Sequence, residues 1–268
     1  MRMLRLALCI LTLTLLASGV EAKVVDPVSV GLNDVIATVE EAFKPDRTGV
    51  APLSDVIADF FQRSTIVGKG KEMRADGQML LKTATAGEPL MFRFDYYRPT
   101  TQEIVCDGKT LWIHLRENRQ VIISDVSEFF NPHRFDVNRD RAVNFLQGLG
   151  RISKDFEVLF ASQRQDQAGN FVLELTPRRA SVSIEKLFMV VSRDAAMRHA
   201  FAKQGRNDFA PNRQELQFPI LSTTVIDHEG NQTTMEFSNV KTNSRLPDLI
   251  FYFSVPPGIN VVQPPNRR

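Results

Sequence analysis

Beyond residue 53, apolar and polar residues alternate with a period of two, which is typical of β-strands that bury one face. The segment MFRFDYY shows this most clearly, because Phe92, Phe94 and Tyr96 fall on one face while Arg93 and Asp95 fall on the other. Similar runs predict strands in VIADFFQRST, GQMLLK, QVIISD, NFVLELT, EKLFMVV, PILSTTVID, QTTMEFSNV and LIFYFSV. With the segment around Cys106, the pattern predicts about ten strands.

Helical spacing is confined to three parts of the chain. In DVIATVEEAF the apolar residues recur at helical spacing, Asn33 is placed to cap the helix, and Pro45 ends it. Short helices are predicted around 127–130 and 141–150, and a short helix plus loop in the polar stretch 192–218. Because short connections join the strands, we expect a mainly β fold: one large, curved antiparallel sheet with helices on its concave side.

The segment QEIVCDGKTLWIH predicts a β-hairpin. Asp107-Gly108 between two β-rich runs favours a two-residue type I′ turn, which needs positive φ at both central residues. Such a turn pairs Cys106 with Lys109, and further along the hairpin it pairs residue 104 with residue 111. One face of the hairpin is then polar, and the other is apolar and consists of Ile104, Leu111, Ile113 and Leu115.

Motifs that would indicate catalysis or metal binding are missing from the sequence. DGKT is not a phosphate loop, because Glu103 stands where that motif requires glycine, and Cys106 has no CxxC partner. Neither GxSxG nor HExxH occurs, and the 4 histidines lack metal-ligand spacing. Residues 136–140 resemble the start of a calcium loop, but Arg141 replaces the required glycine, so helix capping is favoured. These observations argue against an enzyme and predict no cofactor and no metal.

The first 22 residues have the features of a secretory signal peptide: a basic start, a short apolar run, and a cleavage site near Ala22. About 246 residues then remain, with Cys106 as their single cysteine and a net charge of about +1. The charge balance argues against a nucleic-acid partner. The 19 Phe against 3 Tyr and 1 Trp fit either a phenylalanine-rich core or an apolar pocket. We expect a single exported domain, residues 23–268.

Six segments follow one another in the order found in a known family. They are ADFFQ, DGQMLLK, MFRFDYYRPTTQ, IVCDGKTLW, FLQGLGRISKDFEV and SRLPDLIFYFSVPPGINVV. Together they resemble the periplasmic outer-membrane lipoprotein carrier family (LolA), in a match that runs from about residue 30 to 262. DGKTLW and the FxF-type strand are the most specific parts of the resemblance.

The resemblance implies an open half-barrel of about eleven antiparallel strands, with helices as a lid over an apolar cavity. Family members accept the acyl chains of lipoproteins from an inner-membrane transporter and deliver them to an outer-membrane acceptor. It therefore implies that this chain is a periplasmic, monomeric, non-enzymatic carrier of acylated lipoproteins or a related lipid. A half-barrel sensor that binds a lipid or a membrane signalling protein is the alternative.

The expected site residues combine this resemblance with strand parity. Phe92 and Phe94 match the cavity-facing aromatics of the family, and Phe60 matches an inward phenylalanine, whereas Leu111 and Ile113 follow from hairpin parity. The predicted cavity lining is Phe60, Leu80, Phe92, Phe94, Ile104, Leu111, Ile113, Leu173, Leu187, Met189, Phe237, Phe251 and Phe253. The predicted lid residues are Phe130, Phe145, Leu146 and Leu149.

Two features depart from the family pattern. Where the family commonly has Lys-Arg-Pro, with an arginine thought to latch the lid, Lys82 is followed by TATAGE and Pro89. Glu88 precedes this proline, so the latch arginine is missing. Residues 195–218 also resemble an insertion.

Overall fold

A computed structural model describes six stretches of the chain, residues 29–44, 53–83, 89–127, 149–181, 184–206 and 217–263. Together they form one 12-stranded sheet with helices packed against one face. The predicted mainly β fold, an open antiparallel half-barrel, is confirmed. The predicted signal peptide lies outside the described residues, as do residues 128–148, which contain most of the helices predicted around 127–130 and 141–150.

The strands follow one another along the sheet in the order β12-β6-β5-β4-β3-β2-β1-β11-β10-β9-β8-β7. All neighbours are antiparallel except β12 and β6, which are parallel. The strands are β1 (Asp55–Thr65), β2 (Glu72–Lys82), β3 (Met91–Arg98), β4 (Gln102–Cys106), β5 (Thr110–Leu115), β6 (Gln120–Asp125), β7 (Phe156–Gln165), β8 (Phe171–Pro177), β9 (Lys186–Val191), β10 (Ile220–Ile226), β11 (Gln232–Thr242) and β12 (Asn260–Val262).

The first helix, α1 (Leu32–Ala42), carries an apolar stripe that includes the fully buried Val35 and Val39. Its N-cap is Gly31 and not the predicted Asn33. The Asp34 carboxylate accepts a hydrogen bond from the Gly31 N–H at 2.9 Å, so an acidic residue in the first turn stabilises this end of the helix.

Two further helices occupy the same side of the sheet as α1. A 3₁₀ helix (Leu149–Arg151) leads directly into α2 (Ile152–Asp155), and α3 (Arg193–Lys203) follows β9, as predicted for that polar stretch. Helix α1 contacts both α2 and α3. Buried residues of α1 and α3 belong to the same core as the strand residues that face them. We call this side of the sheet the inner face, and the opposite side the outer face.

The hairpin between β4 and β5 differs from its prediction. Cys106 pairs with Leu111, three residues (107–109) separate β4 from β5, and of these only Gly108 has positive φ. The Asp107 carboxylate accepts the N–H groups of Lys109 and Thr110 at 2.8 and 2.7 Å, which favours the longer loop over a type I′ turn. Because the register moves by two residues, every side chain keeps its predicted face.

The C-terminal segment also differs from its prediction. LIFYFSV is not a strand: Asp248–Phe251 form a 3₁₀ helix, and β12 (Asn260–Val262) pairs with β6. We call residues 244–262 the C-terminal strap. The 3₁₀ helix contacts β3, and the Ile250 carbonyl accepts a hydrogen bond from Arg93 at 3.4 Å. Since Arg93 points outward, the strap crosses the outer face.

Candidate functional site: the inner face of the sheet

The inner face consists of rows of side chains that run across the strands. Antiparallel partners point to the same side, so the register defines each row. One row contains Val56, Leu81, Phe92, Cys106 and Leu111, and the next contains Ala58, Met79, Phe94, Ile104, Ile113 and Ile122. On the other side of β1, a further row runs from β11 to β7 and contains Met235, Thr223, Met189, Leu173 and Phe160. The face is therefore continuous and mainly apolar.

The two halves of this face differ in how far their apolar side chains are buried. On β8 and β9, Leu173, Leu187 and Met189 are fully buried in the core that includes α1 and α3. On β4 and β5, Ile104 and Ile113 are only half-buried although they point to the same side. Apolar surface on the β3–β6 half is therefore accessible.

A group of aromatic rings lies between the two halves. The ring centroid of Phe60 lies 5.8 Å from that of Phe94 and 4.9 Å from that of Tyr96, and Phe92 lies 6.0 Å from Phe94. All three contacts have the edge-to-face arrangement that aromatic rings prefer. The backbone approaches closely here, since a Cβ on Gly77 would lie 2.7 Å from the Phe60 ring and 2.1 Å from the Asp95 carbonyl oxygen.

A polar group of side chains follows the aromatic rings at one end of the inner face. We call Gln62, Ser64, Tyr96 and Thr233 the polar end. The Tyr96 hydroxyl donates to Gln62 Oε1 at 2.9 Å, and Gln62 Nε2 donates to Ser64 Oγ at 3.2 Å. The Ser64 and Thr233 hydroxyls lie 3.3 Å apart. Burial raises the pKa of Tyr96 to about 12, so its hydroxyl stays protonated and remains a donor.

Charged side chains are absent from the inner-face positions that the strand register defines, within the described residues. Charges on the helices pair with one another, as Lys203 does with Asp34 at 3.1 Å. At the β7 edge, the Arg164 guanidinium lies over the Phe160 ring at 4.2 Å and donates to the Val30 carbonyl at 2.6 Å. The inner face of β1 to β6 is therefore an uncharged surface.

Most of the predicted cavity residues lie together on this face. They are Phe60, Phe92, Phe94, Ile104, Leu111, Ile113, Leu173, Leu187, Met189 and Phe237. Leu149 belongs to the same core, in the 3₁₀ helix before α2. The other predicted lid residues, Phe130, Phe145 and Leu146, lie outside the described residues. That the face binds a ligand stays a prediction.

Three predicted cavity residues lie on the other side of the sheet. Leu80 is paired with Arg93 on the outer face, whereas its neighbours Met79 and Leu81 point inward. Because Met79, Leu80 and Leu81 are all apolar, the sequence does not show which of them face inward. The prediction that Leu80 lines the cavity was wrong for this reason. Phe251 and Phe253 belong to the C-terminal strap; the Phe253 ring lies 5.3 Å from the His114 ring on the outer face.

Beneath the strap, the outer face carries a charged cluster that sequence reasoning did not find. Glu103 accepts hydrogen bonds from Arg93 at 2.9 Å and from Arg116 at 3.3 Å, and its other contact is His114 Nδ1 at 2.7 Å. Arg93 also pairs with Asp95 at 2.9 Å. Burial raises the pKa of Glu103, but the hydrogen bonds from His114 and Arg116 and the nearby arginines outweigh it and lower this pKa overall.

The structure offers no support for thiol or metal chemistry within the described residues. Cys106 is fully buried, and burial raises its pKa to about 12, so the thiol stays protonated. No cluster of three or more His, Cys, Asp or Glu side chains that could bind a metal ion occurs in the described stretches. Among the helices of those stretches, none has the length and apolar character needed to cross a membrane.

Comparison with known proteins identifies the family. The sequence profile described as outer membrane lipoprotein carrier protein LolA matches residues 53–201, which is more than half of the chain. This protein therefore belongs to the LolA family of outer-membrane lipoprotein carriers. The family resemblance inferred from the sequence is confirmed.

Individual relatives have the same description. An outer-membrane lipoprotein carrier protein of Chromobacterium violaceum is 28% identical over 206 residues, covering 76% of this chain and 79% of the relative. Its counterpart in Nitrosospira multiformis is 26% identical over 210 residues, covering 77% and 81%. Among solved structures, a LolA superfamily protein from Nitrosomonas europaea is similar at 16% identity and a TM-score of 0.35, covering 84% of this chain and 99% of that one.

Proposed function

We propose that this protein is a periplasmic carrier that shields the acyl chains of lipoproteins, or of a related lipid, against the inner face of its sheet. The observation that carries the proposal is the half-buried, uncharged apolar surface on the β3–β6 half, where Phe94, Ile104 and Ile113 share one row. Phe94 joins this row to the aromatic group around Phe60. The other half of the inner face is the one against which α1 and α3 pack.

The physical chemistry of acyl chains supports this assignment. Each methylene group removed from water contributes about 0.8 kcal/mol, so two or three acyl chains represent tens of kcal/mol in total. A carrier in water must cover most of that surface, and charged groups on the covering face would be desolvated at high cost. An inner face that excludes charge over six strands meets this requirement.

The same proposal includes location and partners. The relatives of this chain are described as outer-membrane lipoprotein carrier proteins. We therefore infer transfer across the periplasm from an inner-membrane transporter to an outer-membrane acceptor. The signal peptide predicted for residues 1–22 fits export, and cleavage near Ala22 leaves the domain that contains the whole sheet. We infer that the carrier acts as a monomer and without catalysis.

A charge placed on the accessible row tests the proposal. Phe94→Asp puts a carboxylate among Phe60, Ile104 and Ile113, where burial of a charge opposes acyl binding. We expect its affinity for a fluorescent palmitoyl probe to fall at least about tenfold, which corresponds to 1.4 kcal/mol. The measurement is a probe titration on the mature protein, with thermal unfolding recorded for each variant.

Tyr97→Asp provides the matched control. Tyr97 is on the same strand and is 53% exposed, outside the inner-face rows, so this aromatic-to-carboxylate change should leave probe affinity unchanged. Ile113→Asp, in the same row as Phe94, is the second variant in case Phe94→Asp does not fold. Probe affinities of both inner-face variants equal to that of the wild type would contradict the proposal.

A further inference from the structure

We propose that the polar end, Gln62, Ser64, Tyr96 and Thr233, is a subsite for the uncharged, hydrogen-bonding head group of an acylated ligand. This inference rests on the proposed acyl-binding function and adds a chemical selection to it. The ligand class is one whose polar part presents ester, amide or hydroxyl groups. An anionic phosphate head group is selected against.

The position of the polar end relative to the aromatic group supports the inference. Tyr96 belongs to both: its ring packs edge-to-face on Phe60 at 4.9 Å, and its hydroxyl donates to Gln62 at 2.9 Å. Gln62 follows Phe60 by two residues on β1, which places it roughly 7 Å further along the inner face. A ligand with chains on the Phe60 and Phe94 rings therefore brings its polar part to Gln62.

The described residues use only part of the hydrogen-bonding capacity of the polar end. A carboxamide offers two N–H donors and an oxygen with two lone pairs. In Gln62, one N–H bonds to Ser64 and the oxygen accepts one hydrogen bond from Tyr96. Gln62, Ser64 and Thr233 are all half-buried, so a ligand can reach them. Ester carbonyls and hydroxyls match the remaining donors and acceptors.

The electrostatics of this region disfavour an anionic head group. The flanking arginines point away and are paired, Arg63 with Glu236 at 2.5 Å and Arg98 with Asp76 at 2.8 Å. Arg164 lies on β7, five strands from β1, or roughly 24 Å along the sheet at the usual strand spacing, and its guanidinium lies over Phe160 and donates to the Val30 carbonyl. Lys69 and Lys71 lie in the exposed loop beyond β1. Within the described residues, none of these cations is placed to pair with a phosphate at Gln62, so the phosphate would lose its hydration without gaining a cation from them.

Two lipids that differ only in the phosphate test this selection. Dipalmitoylglycerol and dipalmitoylphosphatidic acid compete separately with a fluorescent palmitoyl probe for the mature wild-type protein in the same detergent. We expect dipalmitoylglycerol to compete about tenfold more strongly. Its hydroxyl and ester groups can form hydrogen bonds with the polar end, and its binding buries no charge, so both effects favour the neutral lipid. Equal competition by the two lipids would overturn the inference and leave the carrier function intact. Failure of both lipids and of the probe to bind would overturn the carrier function itself.

A charge at Gln62 should change the selection. Gln62→Lys supplies the missing cation, so we expect phosphatidic acid to compete as strongly as, or more strongly than, dipalmitoylglycerol. Thr65→Lys is the matched control, because Thr65 is exposed on the same strand and points outward, and it should keep the wild-type preference. Tyr96→Phe removes only the hydroxyl and should weaken dipalmitoylglycerol about threefold to tenfold while sparing phosphatidic acid. Unchanged preferences in Gln62→Lys and Tyr96→Phe would contradict the subsite.

Discussion

The two faces of this sheet bury their residues by different means. On the inner face, apolar side chains pack against helices, and the inner-face positions of β1 to β6 carry no charge. On the outer face, Glu103, Arg93 and His114 form a charged cluster that the C-terminal strap crosses. One face is therefore suited to apolar ligands, while the other fixes the strap by directional contacts.

This difference shows how one β-sheet separates binding from structural stability. Hydrophobic contacts are non-directional, so an apolar face accepts chains of varying length and position. Hydrogen bonds between charged groups require fixed geometry, so the outer cluster holds one arrangement of strap and strands. We infer that ligand exchange on the inner face leaves the outer cluster unchanged.

Adjacent leucines on β2 provide the test with the largest expected effect. Leu81 is fully buried in the inner core, whereas Leu80 is half-buried on the outer face. We expect Leu81→Ala to lower the free energy of unfolding by about 3 kcal/mol or more, because it leaves a cavity, and Leu80→Ala by about 1 kcal/mol. Urea denaturation of both variants measures the difference. Similar losses in the two variants would contradict the assignment of the faces.

Removal of the central carboxylate tests the outer cluster, with a smaller expected effect. Glu103→Gln should lower the free energy of unfolding by about 2 kcal/mol at pH 7, since it weakens hydrogen bonds with charged groups. The folded state lowers the pKa of Glu103, so this stabilisation is present above the usual pKa of a glutamate and is lost as pH falls through the folded value. The difference between wild type and variant should therefore shrink below about pH 4.

Acyl binding and a second variant complete this test. Glu117→Gln, in the exposed β5–β6 loop, is the matched control and should not alter stability or its pH dependence. The palmitoyl probe should bind Glu103→Gln with wild-type affinity, because Glu103 lies on the opposite face from Phe94. If Glu103→Gln kept its stability but no longer bound the palmitoyl probe, the two faces would not act separately.

The alternation of apolar and polar residues was sufficient to predict most of the sheet. It predicted the strands on both sides of Asp107-Gly108, and the parity of Phe92 and Ile104 followed from it. It failed for LIFYFSV, where alternation is present but the first three residues end a 3₁₀ helix and the other four form no strand. The 3₁₀ helix contacts β3, and Ile250 accepts a hydrogen bond from Arg93, which is 157 positions away, so local alternation does not report on these contacts.

The candidate site was predictable where it depends on single strands and not where it depends on pairing. Phe60, Phe94 and Met189 follow from parity and the family resemblance. The polar end joins β1, its neighbour β11, and β3 on the far side of β2, and this strand order is a long-range feature that no local pattern reveals. The cluster around Glu103 likewise depends on strand pairing, because the register places Glu103 opposite His114.

The measurement that tests the central claim most directly is photo-crosslinking with a palmitoyl chain that carries a diazirine near its methyl end. After irradiation, peptide mapping identifies the labelled residues of the mature protein. We predict labels on the inner face at Phe94, Ile104 and Ile113, and their loss when excess unlabelled palmitoyl lipid is present. Labels on Leu249 and Tyr252, which are 79% and 57% exposed on the strap, without labels on the inner face would contradict the claim.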